Sequence, residues 1–283
     1  METFRKPLTA CYNASLNSPL RKYTLMRSQR PQYSYQPPNQ NFNWVQRLAP
    51  LKEPPLAYLI FLVGVALGIW LSIQRNVYGP RLLILLIAFP VHELAHAIVA
   101  DRLGDSTPRY HGRITLNPLA QLNLIGSLLM LAVGIGWAYV PINPRALRPN
   151  PQLGHMIVAA AGPIANVILA IICALLWHAA LPDLDSLRAS PVALSLANLL
   201  FQFALINLAL FFFNLVPIAP LDGFFVLKGL LPYQLASQLE GLQRYGTFIF
   251  LAVFFIGPFF GLPIVDVLIF GPAQSVTRLL FGL

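Results

Sequence analysis

Charge is what this chain has least of. Only 10% of its 283 residues are Asp, Glu, Lys or Arg, against 57% hydrophobic. That balance excludes an ordinary soluble domain and a disordered chain, and describes an integral membrane protein. Cysteine is nearly missing too: Cys11 and Cys173 cannot build a disulfide framework or the clustered thiolates of a structural zinc site. Acids are scarcer than bases, ten against nineteen, for a formal net charge of +9. The excess does not point to nucleic acid, because eight of the Lys and Arg fall in residues 1–55, with only Glu2 and Glu53 opposing them. This basic tail, rich in Pro, Gln, Asn, Ser and Tyr, shows no amphipathic period. It reads as a disordered segment held against anionic lipid head groups by its charge. A solvated tail without a further role and an Arg-bearing targeting segment are the alternatives.

Long apolar runs are what the chain has in quantity: 56–73, 82–100, 124–141, 156–182, 191–215 and 247–270. A helix needs about 20 apolar residues to cross a bilayer, and five of the six qualify. The run 124–141 is short and broken by Gly126, Gly134 and Gly136, and the preceding "HGRITLNPLAQLN" carries β-branched residues and an Asn117-Pro118 breaker. Arg102, Arg109 and Arg113 before it and Arg145 and Arg148 after it both belong on the cytoplasmic side. Residues 112–142 are therefore expected to form a re-entrant, partly β hairpin buried within the protein, with a true sixth span as the alternative. The expected fold is an all-α polytopic membrane protein of about five to six transmembrane helices, residues 56–283, behind the tail. With the amino terminus inside, the loop 183–190 with Asp183, Asp185 and Arg188 falls outside, and Lys228 and Arg244 inside. Arg75 and Arg81 would lie outside, against the rule.

One apolar run breaks its own pattern. "LLILLIAFPVHELAHAIVA", Leu82 to Ala100, encloses His92, Glu93 and His96. A buried charge there costs at least ~2.5–3.5 kcal/mol on insertion scales and so marks function by default; a polar patch for helix packing is the bland alternative. Residues four apart stack on one face of a helix, so His92 and His96 can bind one metal ion, and Glu93 flanks them as a base towards an activated water. Pro90 is expected to bend the helix just before them and open space. The pattern is that of a zinc hydrolase, which needs a third protein ligand. His111 and His155 read as polar-loop residues, and His178 as lying at the wrong end of its run. Asp266 reads as interfacial. Asp222 is the favoured candidate: in "FFFNLVPIAPLDGFFVLKGLL", Pro217, Pro220 and Gly223 break the helix around it, and a broken helix at membrane depth lines a cavity.

HELAH in an apolar helix, followed downstream by Asn214-Leu-Val-Pro217-Ile-Ala-Pro220-Leu221-Asp222-Gly223, resembles the site-2 protease family of intramembrane zinc metalloproteases. "GRITLNPLAQLNLIGSLLM", "INPRALRPNP" and "AAAGPIANVILA" look like its compact branch without a PDZ domain. The likeness covers roughly residues 80–235. It implies one zinc ion per chain on His92, His96 and Asp222, Glu93 as catalytic base, and Asn166 near the site, bonding the substrate carbonyl or the oxyanion. A helix–helix hydrogen bond is the other reading of Asn166. Phe224, Ala219 and Asn123 depart from common family residues without removing a ligand. The implied activity is cleavage of membrane-protein substrates in or near their transmembrane segments, in a bacterial inner or organelle membrane, with the active site towards the cytoplasmic side and no role for nucleic acid. A divalent-metal transporter and a catalytically idle chaperone for membrane helices are the rivals. Five histidines and no second ligand-bearing span speak against the first, and an intact set of four site residues against the second.

Overall fold

In hydrocarbon a chain satisfies its backbone amides within one segment only as a helix, and four of the apolar runs do so. The structure, a computed structural model, describes residues 55–74, 78–115, 117–133, 138–180 and 191–283. The tail up to residue 54, Arg75, and the loop 183–190 with Asp183, Asp185 and Arg188 lie outside the described residues. Helices α1 (Leu56–Ile73), α2 (Tyr78–Arg102), α4 (Pro151–Ala180) and α5 (Pro191–Asn214) are each long and apolar enough to cross a membrane. Between them α3 (Leu124–Val133) is shorter, and α6 (Asp222–Leu230), α7 (Tyr233–Gln243), α8 (Gly246–Ile256) and α9 (Gly271–Phe281) follow. This is a multi-pass membrane protein.

The run 247–270 is not the single span expected of it. α8 ends in a 3₁₀ turn, Gly257–Phe260, then Gly261 takes a positive φ of 73°, and a π turn, Asp266–Phe270, leads into α9. Pro258 and Pro263 cannot donate to a helical ladder, and glycine reaches that φ without strain. α7 and α8 meet at 72°, so the described residues hold four spans, or five if that bent pair crosses as one, rather than six.

The segment 112–142 also differs from expectation. No strand forms among its described residues; its β character is one antiparallel bridge, Leu122 to Ala138, with α3 between. The reason is that side chains take the hydrogen bonds a partner strand would make. Arg113 Nη1 donates to the Ala120 and Gln121 carbonyls at 2.8 and 3.1 Å, and Gln121 Nε2 returns to the Arg113 and Thr115 carbonyls. Asn117 Oδ1 accepts from the Leu119 amide at 3.0 Å, and Asn123 Oδ1 caps α3 through the Gly126 amide at 3.0 Å. Arg81, a misfit in the charge pattern, donates to the Leu131 and Ala132 carbonyls at the carboxyl end of α3; a cation is favoured there.

α4 is the central helix, packing against α2, α5 and α6. Its carboxyl half joins α5 and α9 in a core of Ala170, Cys173, Ala174, Ala204, Leu208, Ala273 and Phe281. Small residues there let backbones approach, as membrane bundles require. Its amino end is fixed against the exit of α2. Asp105, 1% exposed, accepts from the Thr107 and Asn143 amides at 3.0 and 2.6 Å, and the Arg148 amide donates to Leu103 at 2.9 Å. Asp105→Ala would strand both amides and is expected to cost roughly 1–3 kcal/mol. Thermal unfolding in detergent should show a clear drop in Tm, with the exposed Gln238→Ala near wild type as control.

Candidate metal centre

The site begins with how α2 accommodates Pro90. A π turn, Ile84–Ala88, precedes it, and the Phe89 amide reaches back five residues to the Ile84 carbonyl. The wider turn absorbs the missing proline N–H, and regular α-helix resumes through the motif. The histidines then stand one turn apart on one face, buried at 7% and 6% exposure, with Nε2 atoms 3.0 Å apart and rings edge to face.

The other nitrogen of each ring is engaged by α4. His96 Nδ1 lies 2.7 Å from the Val158 carbonyl, which can only accept, so Nδ1 carries a hydrogen and, in the neutral ring that binds a metal, Nε2 has a bare lone pair. His92 Nδ1 lies 3.3 Å from Asn166 Oδ1, the same arrangement. Orientation of a ring through its far nitrogen is how metal-binding imidazoles are held.

The carboxylate arrives from a different direction. α5 ends at Asn214; the chain then turns through Leu215–Leu221, closed by Ile218 N to Val216 O at 2.8 Å and Leu221 N to Ile218 O at 2.9 Å. Leu221 is extended and Asp222 opens α6, where an anion is favoured by the helix dipole. A Cβ on Gly223 would lie 2.7 Å from the Val216 carbonyl and closer still to Leu215, so only glycine lets α6 start against this turn. Asp222 Oδ2 thereby comes to 3.2 Å from His92 Nε2 and 3.4 Å from His96 Nε2.

Two imidazole lone pairs and a carboxylate oxygen thus form a triangle with sides of 3.0, 3.2 and 3.4 Å. Asp222 Oδ2 is buried with no hydrogen-bond donor. With both rings neutral these are three acceptors, which repel one another unless a cation, a proton or a metal ion, shares their space. Zinc bonds of about 2.0–2.2 Å in tetrahedral geometry hold ligand atoms roughly 3.3–3.6 Å apart, close to this triangle. The donor set, two histidines and a carboxylate, suits zinc.

α4 also makes room for the ion. Val158, Gly162 and Asn166 succeed one another at four-residue spacing on one face: the first and last hold the rings, and the middle one has no side chain. A Cβ at Gly162 would fall 2.6 Å from His92 Nε2 and nearer still to His96 Nε2. Pro163 follows and has no N–H for the Ala159 carbonyl one turn back.

A cavity of about 750 Å³ opens beside the triangle, lined among others by Glu93, Asn123, Tyr139, His155, Asn166 and Gln243. The structure therefore brings together His92, His96 and Asp222, with Glu93 at 8% exposure beside them and Asn166 behind His92. It does not bring in His111, which is exposed, His178, bonded to the Leu280 carbonyl at 2.9 Å, or Asp266, exposed on its π turn. His155 is corrected: it sits within α4 and faces the cavity, not a polar loop. The Val158 carbonyl and Gly162 escaped sequence reasoning. The four-residue spacing 158–162–166 was the available signal, but a backbone acceptor and a missing side chain leave no residue type to notice.

Comparison with known proteins agrees with this geometry. Residues 80–188 match Peptidase family M50. YwhC of Bacillus subtilis, named as a candidate zinc metalloprotease, is 38% identical over 174 residues, 60% of this chain and 77% of its own length. Rip2 of Mycolicibacterium smegmatis, named likewise, is 28% identical over 177 residues, 61% of this chain and 65% of its own. The zinc metalloprotease MJ0392 of Methanocaldococcus jannaschii is 29% identical over 181 residues, covering 63% of this chain and 42% of that protein. No solved structure gives a significant match. The chain belongs to peptidase family M50, the site-2 protease family, and is a zinc metalloprotease. Among the described residues between His96 and Asp222 there is no inserted PDZ domain.

The close approach of α4 carries its own prediction. Gly162→Ala places a methyl group where the two Nε2 atoms converge and should weaken zinc retention at least tenfold, about the size of other disturbances around bound metals. Zinc left after graded chelator treatment of the purified protein reads this directly.

Proposed function

We propose that this chain is an intramembrane protease that hydrolyses peptide bonds in or near the transmembrane segments of membrane-protein substrates. The observation that carries the reading is the position of the donor triangle: it lies between α2 and α4, two apolar spans, and beside a cavity large enough for a stretch of peptide. His92, His96 and Asp222 are the zinc ligands and Glu93 is the base. Zinc, when bound, supplies Lewis acidity, polarising a carbonyl and acidifying a water.

The rest falls to the chain's own groups. Glu93 takes the proton from the attacking water and delivers it to the departing amine. Its carboxylate lines the cavity and makes no side-chain hydrogen bond among the described residues, so it is free to do both. Asn166 presents a buried Nδ2 with no partner, a donor suited to a substrate carbonyl. A substrate reacts only when unwound, since a helical carbonyl is already bonded and covered. Two features support a re-entrant role for the segment around α3: the Leu122–Ala138 bridge brings its described flanks together, and Ala138, Tyr139, Val140 and Ile142 line the cavity, where backbone could meet an extended segment. Arg102 and Arg109 follow the motif where α2 ends, and Arg145 and Arg148 precede α4, a run of cations that supports a cytoplasmic position for that end. His96 lies six residues, about 9 Å along the helix, before that end.

The test is a pair of variants against a single-span substrate in detergent. Glu93→Gln should keep its zinc and lose cleavage by about 10²–10⁴-fold, the usual worth of a positioned acid–base group. Asp222→Ala should lose zinc as well. Wild-type cleavage by Glu93→Gln removes the base assignment, and zinc flux across proteoliposomes without any peptide product replaces the protease reading with a transporter.

A further inference from the structure

Zinc and its base occupy one end of the cavity; its other polar groups still need a role. His155 is the most telling. It stands on α4, half-buried, on the face that passes through Ala159 and Gly162 to Asn166, and its ring stacks on Phe225 of α6 at 4.3 Å and 29°. Both side chains line the cavity, and neither ring nitrogen of His155 has a hydrogen-bond partner among the described residues. Its nitrogens open on the cavity, where they can hydrogen-bond whatever occupies it.

Its position is built rather than incidental. Gln152 Nε2 donates to the Lys228 and Leu231 carbonyls at 2.8 Å each, clamping the amino end of α4 to the carboxyl end of α6. Gly229 packs so closely on Met156 that a Cβ there would overlap it, and Gly154 meets Leu147 in the same way. These contacts fix the His155–Phe225 pair one turn of α6, about 4.5 Å of rise, from Asp222, and about 10 Å along α4 from Gly162. An extended peptide advances about 3.3 Å per residue, so a peptide crossing the zinc site reaches the pair within one to three residues.

We propose that His155 and Phe225 form a subsite of the cavity that holds the substrate residue one to three positions from the scissile bond and favours a side chain with an amide or hydroxyl group. The ring nitrogens supply a donor and an acceptor, and the Phe225 face fixes the plane in which they act. The inference rests on the protease reading given above and adds its selectivity.

The experiment uses the full chain in detergent with a single-span substrate. The three residues on each side of the cleaved bond are changed one at a time to Asn or to Leu, which have nearly the same shape. At one of the six positions wild type should prefer Asn over Leu by about tenfold in kcat/KM, the scale of one net hydrogen bond. In His155→Phe, which keeps the stack and removes the nitrogens, that ratio should fall to within about twofold, while zinc content stays at the wild-type level; His155→Gln should restore part of it. A wild type indifferent to Asn at all six positions, or a His155→Phe protein that keeps the preference, overturns the subsite. If His155→Phe does not fold, Phe225→Leu takes its place and should lower the same ratio, and an unchanged ratio there also overturns it. A zinc-loaded wild type that cleaves no member of the set defeats the protease reading instead, and the subsite falls with it.

Discussion

Three electron pairs aimed at one point inside an apolar bundle set the terms for everything around them. Two imidazole nitrogens and a carboxylate oxygen crowd to within 3.4 Å of each other, and with both rings neutral none of the three is a donor. Without a cation that arrangement is repulsive, and burial between spans denies it the screening that water would give. The fold must hold the three groups in place against that repulsion, and three of its irregularities are found where it does so. The π turn before Pro90, the glycine after Asp222 and the bare backbone at Gly162 each depart from the regular helix that lipid otherwise favours.

α4 is the reference against which the ligands are aligned. It touches α2, α5 and α6, and along one of its faces it supplies a carbonyl, a gap and an amide in successive turns. The motif helix α2 contributes the nitrogens, but which nitrogen faces the ion is decided by α4. A reader of the His-Glu-x-x-His pattern alone would assign the chemistry to α2 and miss the helix that fixes the tautomers.

Legibility in the sequence followed the same division. Ionisable side chains in apolar runs are rare enough to stand out, so His92, Glu93, His96 and Asp222 could be read directly, and the geometry brings them together. The four spans were legible for the same reason, as unbroken apolar length. What escaped was everything carried by backbone or by absence: the Val158 carbonyl, the missing side chain at 162, and the hydrogen bonds by which Arg113 and Gln121 replaced an expected strand with a turn. The run 247–270 misled because hydropathy counts apolar residues without weighing Gly257-Pro258 and Gly261-Leu262-Pro263, whose backbone chemistry ends one helix and starts another. His155 was set aside because the helix that bears it begins earlier than its apolar stretch does.

The proline at 163 divides α4 where it passes the histidines. The half before it is fastened to α6 through Gln152 and Gly229, and the half after it belongs to the packed core with α5 and α9. Val158 lies on one side of that break and Asn166 on the other, so each imidazole takes its bearing from a different rod. Any flexing at this fulcrum would turn the two rings relative to one another, making the dihedral between His92 and His96 a gauge of how straight the central helix stands.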